Sequence, residues 1–297
     1  MKLDLMKKLC SLEMPKLYQI LIKFLHRKGY KKIYHYSDFI MAEGEIPVCL
    51  IAHMDTVFDF VHDIDDFFYD AEQQLLWAPS GSGYDDRAGI YAIIELVERG
   101  CRPHIIFTNE EEKGAIGSRN LIAKFPECPF DCKMLIQLDR MGYNDAVFYD
   151  CDNPDFTQYI TSFGFEEQEG TFSDISILAP AWKIAAVNLS IGYLDEHTWN
   201  ERLFCSWCDR TIDCVEEILK QASSAQYYKY IARKYNYKIY SKNYCAICGK
   251  LFTSYKEAKF YKEGNYHYCV CRDCEKIYNM YNESPSEKDY KEFLPFD

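Results

Sequence analysis

The chain has 297 residues, 48% of them hydrophobic, and 46 Asp and Glu against 34 Lys and Arg give it a formal net charge of −12. That suffices for one full core plus a small appendage, and no run approaches the 18 or more apolar residues of a membrane span. Its 14 cysteines would suit a secreted disulfide protein, but Met1-Lys-Leu-Asp-Leu-Met-Lys-Lys8 puts an acid and lysines where a signal peptide needs an apolar stretch, so a reducing cytoplasm is expected.

The pattern predicts a leading helix over 16–25, a break at Gly29 and a short strand. Residues 46–52 are apolar and β-branched enough for a buried strand, which should not end in His53-Met-Asp55 without compensation. Gly81-Ser-Gly-Tyr-Asp-Asp-Arg-Ala-Gly89 is a glycine-rich turn into an apolar helix over 90–99, stopped at Gly100. Asp85 falls just before that helix, where an N-cap and a ligand are both open readings. Residues 104–108 read as a second strand before Asn109-Glu-Glu-Glu112, 134–138 as a third before Asp139, and 185–190 as a fourth ahead of Gly192 and His197. Four candidate strands thus carry polar groups at their carboxyl ends, the edge where open α/β sheets bind ligands.

Further along, Cys205-Ser-Trp-Cys208 lacks a matching second pair, and Cys214 lies on a helix over 211–219. All three read as structural, because a redox thiol needs a lowered pKa and this neighbourhood is acidic. Cys245-Ala-Ile-Cys248 and Cys271-Arg-Asp-Cys274 are separated by 22 residues, the spacing of a structural four-thiolate zinc site. With a Tyr/Lys-rich hairpin between the pairs and a helix over 275–281, the segment resembles a treble-clef finger. Cys269 in place of Cys271 would have the wrong spacing. Residues 222–297 hold 13 Lys and Arg against 9 Asp and Glu and 14 of the 25 tyrosines. A net +4 on so acidic a chain gives a weak field for phosphates, so nucleic acid is not the expected partner. Packing on the core, self-association or protein recognition suits the finger better.

Five stretches together resemble the co-catalytic zinc exopeptidases, the broad group of metal aminopeptidases with related carboxypeptidases and deacylases. They are His-Met-Asp at 53–55, Gly-Tyr-Asp-Asp-Arg-Ala-Gly at 83–89, Phe-Thr-Asn-Glu-Glu-Glu-Lys-Gly-Ala-Ile-Gly-Ser at 107–118, Leu-Asp-Arg at 138–140, and Asn-Leu-Ser-Ile-Gly-Tyr with His-Thr-Trp-Asn-Glu at 188–201. They span most of the first ~215 residues in the family's order. The resemblance implies a three-layer α/β fold with a mostly parallel central sheet flanked by helices, and two catalytic divalent ions. In it Asp85 bridges the ions, His53 and Asp139 complete one site, and Glu112 and His197 complete the other. Aligning on Gly114 makes Glu111 the general base; a register with Glu110 as base is the alternative. Asp55 would accept the other imidazole N–H of His53. Asp174 resembles a Ser-Asp segment near the family's substrate pocket, with an N-cap as the rival reading. Arg140 and Tyr193 are further candidates to line the pocket, although Arg140 could simply neutralise the acidic edge.

The expected domain map is a di-metal peptidase-like domain over 1–220, a helical connector over 221–243, and the zinc finger with a loose tail over 244–297. Only 57 residues separate Asp139 from His197, too few for the inserted lid found in some branches, which points to the compact branch. The expected function is hydrolysis of peptide or related amide bonds, foremost as an aminopeptidase. A deacylase on a non-peptide substrate, or a binding protein acting through the finger, are the rivals. Zinc is the default catalytic metal, cobalt or manganese also suit His/carboxylate ligands, and one structural zinc would sit in the finger.

Overall fold

The computed structural model describes residues 1–233, 258–263 and 266–272. The chain divides into two compact units, 1–234 and 235–297. The larger unit holds, in chain order, α1 (Leu3–Cys10), α2 (Met14–Arg27), β1 (Ile33–Tyr36), β2 (Phe39–Ala42), β3 (Ile46–His53), β4 (Phe68–Asp70), β5 (Leu75–Trp77), α3 (Tyr84–Glu98), β6 (Pro103–Thr108), α4 (Ile116–Lys124), β7 (Met134–Arg140), β8 (Asp145–Val147), α5 (Pro154–Thr161), β9 (Glu166–Gln168), α6 (Asp174–Trp182), β10 (Ala186–Ser190), β11 (Tyr193–Leu194), β12 (Arg202–Phe204) and α7 (Cys205–Gln221).

Eight strands form one mixed sheet in the order β1-β2-β6-β3-β7-β10-β8-β9. Its centre, β6-β3-β7-β10, is parallel throughout, whereas β2 joins β6, and β8 joins β10, in antiparallel fashion. Parallel strands are covered on both faces, so their side chains divide between two cores. Val48, Leu50 and Ala52 of β3 enter one core while Cys49 and Ile51 enter the other. The same alternation places Ile105 and Phe107 of β6 opposite Ile106, and Met134, Ile136 and Leu138 of β7 opposite Leu135. The first core is completed by α1, α2, α3, α5 and α7, the second by α4 and α6. The result is the layered α/β architecture that the patterning predicts, with four carboxyl ends on one edge. A smaller antiparallel sheet, β11-β12-β5-β4, lies apart from the large one in hydrogen bonding and supplies the hairpin that carries His197.

Two sequence expectations need correction. Helix α1 was not foreseen; its apolar residues Met6, Leu9 and Cys10 are buried and spaced for one helical face. A helical connector from 221 is not found in its described part. After α7 the chain turns, and residues 229 and 232 make isolated bridges to Ile184 and Cys151. Lys133 Nζ accounts for the stop, donating to the carbonyls of Ala222, Ser223 and Ala225 at 3.2, 2.8 and 2.7 Å. Residues 234–243 lie outside the described part. In the second unit, β13 (Ala258–Glu263) and β14 (Tyr266–Cys271) pair as an antiparallel hairpin, in the interval between the two Cys-x-x-Cys pairs. Of the proposed zinc ligands Cys271 closes β14, while Cys245, Cys248 and Cys274 lie outside the described residues. Cys205 and Cys208 are buried in the first core, with Cys214 packed against it, as small apolar residues would be.

Candidate metal centre

The strand ends gather the acids and imidazoles at one place. His53, the last residue of β3, is 1% exposed, a poor location for an ionisable ring without partners. Its Nε2 stands 3.0 Å from Asp85 Oδ1 and 3.3 Å from Asp139 Oδ1. Across Asp85, His197 Nε2 lies 3.0 Å from the other oxygen, Oδ2, and 2.9 Å from Glu112 Oε1. One carboxylate therefore presents an oxygen to each histidine, and each histidine has a second acid of its own.

Local structure explains why Asp85 is free to do this. Residues 85 and 86 leave helical geometry at the start of α3, and the Asp85–Asp86 peptide is cis. Asp86 performs the capping: its Oδ1 accepts from Gly89 N at 2.9 Å and its Oδ2 from His53 N at 3.1 Å. The N-cap reading weighed for this turn thus belongs to Asp86. His53, Asp86 and Asp139 also converge closely enough to hold a cation, as do His53, Asp85 and Glu112. Both Asp86 oxygens already accept main-chain N–H groups, so Asp85 is the better ligand. Gly89 is needed here, because a Cβ would sit 2.2 Å from the Leu138 carbonyl oxygen and 2.4 Å from Asp86 Oδ1.

Asp55 is placed somewhat differently from expectation. The nearest acceptor to His53 Nδ1 is the Asp55 main-chain oxygen, at 3.1 Å, with the carboxylate Oδ1 at 3.4 Å. The carboxylate instead receives Glu111 N at 3.1 Å on Oδ1 and Glu112 N at 3.2 Å on Oδ2. Asp55 thereby ties the end of β3 to the loop after β6, where Glu110 and Ala115 adopt left-handed backbone and Gly114 has φ +92°. The Glu111 side chain makes no hydrogen bond or ion pair among the described residues. Burial pushes its pKa up to about 9, against the opposing pull of His53.

Asp139, at the end of β7, is oriented on three sides. Gln137 Nε2 donates to Oδ2 at 2.9 Å, the Tyr193 hydroxyl donates to Oδ1 at 3.3 Å, and Asn188 brackets its main chain at 2.9 and 3.1 Å. Gln137 is in turn fixed by Ile175 N and the Ser173 hydroxyl. Burial raises Asp139 to about 7, with Asp85 adding to the rise. His197 is raised to about 11 by its bonds to Asp85 and Glu112, while against burial the bonds from His197 and His53 hold Asp85 well below the ordinary carboxylate range.

The three pocket candidates are placed as supports. Asp174 is fully buried, and its oxygens accept from the Thr108 and Ser118 hydroxyls, closing it off from a substrate amine. Capping of α6 is done by Ser173 with Ser176, so Asp174 is not the N-cap either. Arg140 Nε faces Asp145 Oδ2 at 3.5 Å without a proper hydrogen bond, which fits the neutralising role. Tyr193 is buried and serves Asp139. Arg87, also buried, has Leu12 O as acceptor and is lowered to about 10 by burial.

Sequence reasoning assigned no role to Glu201, although it stands in one of the matching stretches. It is 1% exposed and accepts from the main-chain N–H of Ser82 at 3.0 Å, Gly83 at 2.5 Å and Asp85 at 3.0 Å. Its place four residues after His197, inside a matching stretch, was the available clue. Backbone donors, however, leave no mark in residue types.

The imidazoles of His53 and His197 and the carboxylates of Asp85, Asp139 and Glu112, with N···O separations of 2.9–3.3 Å, are a donor set for divalent cations such as zinc, cobalt or manganese. More acid than base is collected than the two histidines can neutralise, which favours added positive charge. The described helices include none long and apolar enough to cross a membrane.

No family model and no curated protein match the chain. Solved structures do. A tripeptidase from Staphylococcus aureus superposes with a TM-score of 0.60 and 14% identity, covering 74% of this chain and 97% of that one. Aminopeptidase PepT from Bacillus cereus gives 0.58 and 12%, covering 73% and 97%. A TET aminopeptidase from a marine-sediment Thaumarchaeota archaeon gives 0.55 and 12%, covering 73% and 96%. At these identities the likeness is one of fold: the chain carries the α/β architecture of a tripeptidase and two aminopeptidases over nearly their whole lengths.

Proposed function

We propose that the protein is a metal-dependent hydrolase of peptide or related amide bonds, acting as an aminopeptidase on two divalent cations. One observation carries the reading: Asp85 offers its two oxygens to His53 and His197 at 3.0 Å each, with Asp139 and Glu112 completing the two sides. His53 and Asp139 would hold one cation, His197 and Glu112 the other, and Asp85 both. A cation pair bound there would acidify a shared water and polarise the scissile carbonyl.

The chain's own groups do the rest. Glu111, whose side chain makes no hydrogen bond or ion pair among the described residues, takes the proton from the attacking water and returns it to the departing amine. Its raised pKa suits a group that must both accept and release a proton near neutrality, and positive charge beside it would bring the value down from about 9. Asp55 sets the backbone of Glu111 and Glu112, so base and ligand keep their spacing. Tyr193 and Gln137 fix Asp139, and Asp86 fixes the start of α3. The excess of acid at this edge favours a free amino group over an anionic end on the substrate. Zinc is the expected metal, and the peptidase fold of the superposed structures supports a peptide over a non-peptide amide.

Substituting Glu111→Gln tests the reading. It should abolish hydrolysis across a panel of aminoacyl and acyl amides while leaving metal content unchanged; retained turnover would contradict it. The four-thiolate finger of Cys245, Cys248, Cys271 and Cys274 is proposed as a separate structural zinc site that docks a protein partner or a second copy, in a cytoplasmic protein of the compact, lid-less branch.

A further inference from the structure

We infer that Glu201 is a positioning residue of the metal centre: its buried carboxylate holds the main chain of Ser82 to Asp85, so that Asp85 keeps one oxygen facing each histidine. The inference rests on the cation-pair reading above and goes beyond it in assigning a residue that touches neither cation nor substrate.

The geometry is economical. Glu201 Oε2 receives the N–H groups of Ser82 and Gly83 and Oε1 that of Asp85, across more than 115 residues of sequence. The rest of the loop is held by Ser82 Oγ, which accepts from Ala78 N at 3.0 Å, and by the Gly81 carbonyl, 2.7 Å from His62 Nε2. Gly83 has φ +68°, and Gly81, at φ +89°, donates only to the Trp199 carbonyl at 3.1 Å. That carbonyl belongs to the same segment as Glu201. The main-chain N–H groups of Gly81, Ser82, Gly83 and Asp85 are therefore all answered by the stretch 197–201.

That stretch also carries His197. It links β11 to β12, whose pairing of Tyr193 with Leu203 and Leu194 with Arg202 closes its base, reinforced by an ion pair between Arg202 and Asp195 at 2.5 Å. His197, at φ +61°, stands near the tip, and Glu201 stands at the base. One hairpin thus sets both a terminal ligand and, through Glu201, the bridging ligand opposite it. A carboxylate is the side chain that can accept on both oxygens without offering a proton to the facing N–H groups.

Glu201→Gln keeps the shape but turns one acceptor into an NH2, leaving at least one buried main-chain donor unpaired. In the full-length protein, titration of the chelator-stripped chain with cobalt(II), followed by its d–d absorption, should show affinity for the pair reduced about 10–100-fold. The d–d spectrum at saturation should differ from wild type, and kcat should fall with KM little changed. Equal affinity and an identical spectrum, with only a lower melting temperature, would reduce Glu201 to a structural brace and overturn the proposal alone. A wild-type chain that takes up no cation pair overturns it together with the reading it rests on. Amide hydrogen exchange on the wild-type metal-loaded protein gives a second measurement that does not depend on the variant folding. The amides of Ser82, Gly83 and Asp85 should be strongly protected, and exchange at the rate of an open loop would equally refute the proposal.

Discussion

Asp55→Asn isolates the coupling between the end of β3 and the loop after β6. In the native chain its two oxygens accept from Glu111 N at 3.1 Å and Glu112 N at 3.2 Å, while His53 Nδ1 leans mainly on the main-chain oxygen at 3.1 Å. Asparagine offers one oxygen and an NH2, so one of the two N–H groups must lose its acceptor. An unpaired buried donor costs about 1–3 kcal/mol, and the surviving bond loses its charge assistance, roughly another 1 kcal/mol. The sum, about 2–4 kcal/mol, exceeds what the loop can absorb in place, because the proposed centre requires Glu112 on a cation and Glu111 within reach of the water. Rotation of the loop should appear as about 10–100-fold weaker metal binding, the range for lost supporting partners, and a larger loss in kcat. The assay is competition for zinc against a chromophoric chelator alongside steady-state kinetics. Native affinity and native kcat in a folded Asp55→Asn protein would refute the argument. Loss of affinity traced to a wrongly turned His53 ring, with residues 110–113 unmoved in a crystal structure, would show that the imidazole and not the loop is its main charge.

Two other outcomes follow from the same geometry. Gly89→Ala would drive a Cβ to 2.2 Å from the Leu138 carbonyl oxygen, a backbone atom that cannot swing aside. The cost should be about 3 kcal/mol, the upper end for overpacking, or a melting temperature lower by roughly 6–12 °C at this chain size; a shift within a degree would refute the close packing of α3 on β7. The pH profile gives a second check on the stripped protein. Asp139 keeps its proton to about 7 against an ordinary 3.8, and His197 keeps its own to about 11 against 6.5. In both windows the folded state binds more protons than the unfolded, so stability falls as pH rises, from about 4 for Asp139 and onward through the alkaline range for His197. Asp85, held low, loses its contribution only in strong acid. Melting with chelator should therefore be lower at pH ~8.5 than at ~5.5, and added zinc should help most at the higher pH. A flat or rising profile would count against the clustering of acids.

Much of this was legible in the residues because the sheet and the site obey short-range rules. The runs before His53, Asn109, Asp139 and Gly192 became β3, β6, β7 and β10 within a residue or two, since parallel strands buried on both faces must be continuously apolar. The polar residues that interrupt those runs converge because parallel strands share a carboxyl edge. What was hidden depends on contacts between distant backbones. Nothing in the types of Asp85 and Asp86 tells which one caps α3, and Asp174 looks like a pocket acid until Thr108 and Ser118 are found against it. The role of Glu201 is set by three main-chain N–H groups that any sequence would possess. Among the described residues after α7 the expected helix is absent because Lys133, distant in sequence, gathers the carbonyls of Ala222, Ser223 and Ala225 with its ammonium.

The most direct test of the shared-cation centre is a crystal structure of the zinc-loaded protein with anomalous data at the zinc edge. Two peaks about 3.5–4 Å apart, one beside His53 and Asp139, the other beside His197 and Glu112, with Asp85 between them, are the predicted result. A single peak at this sheet edge, or none beside Asp85 while the protein still turns over, would contradict it.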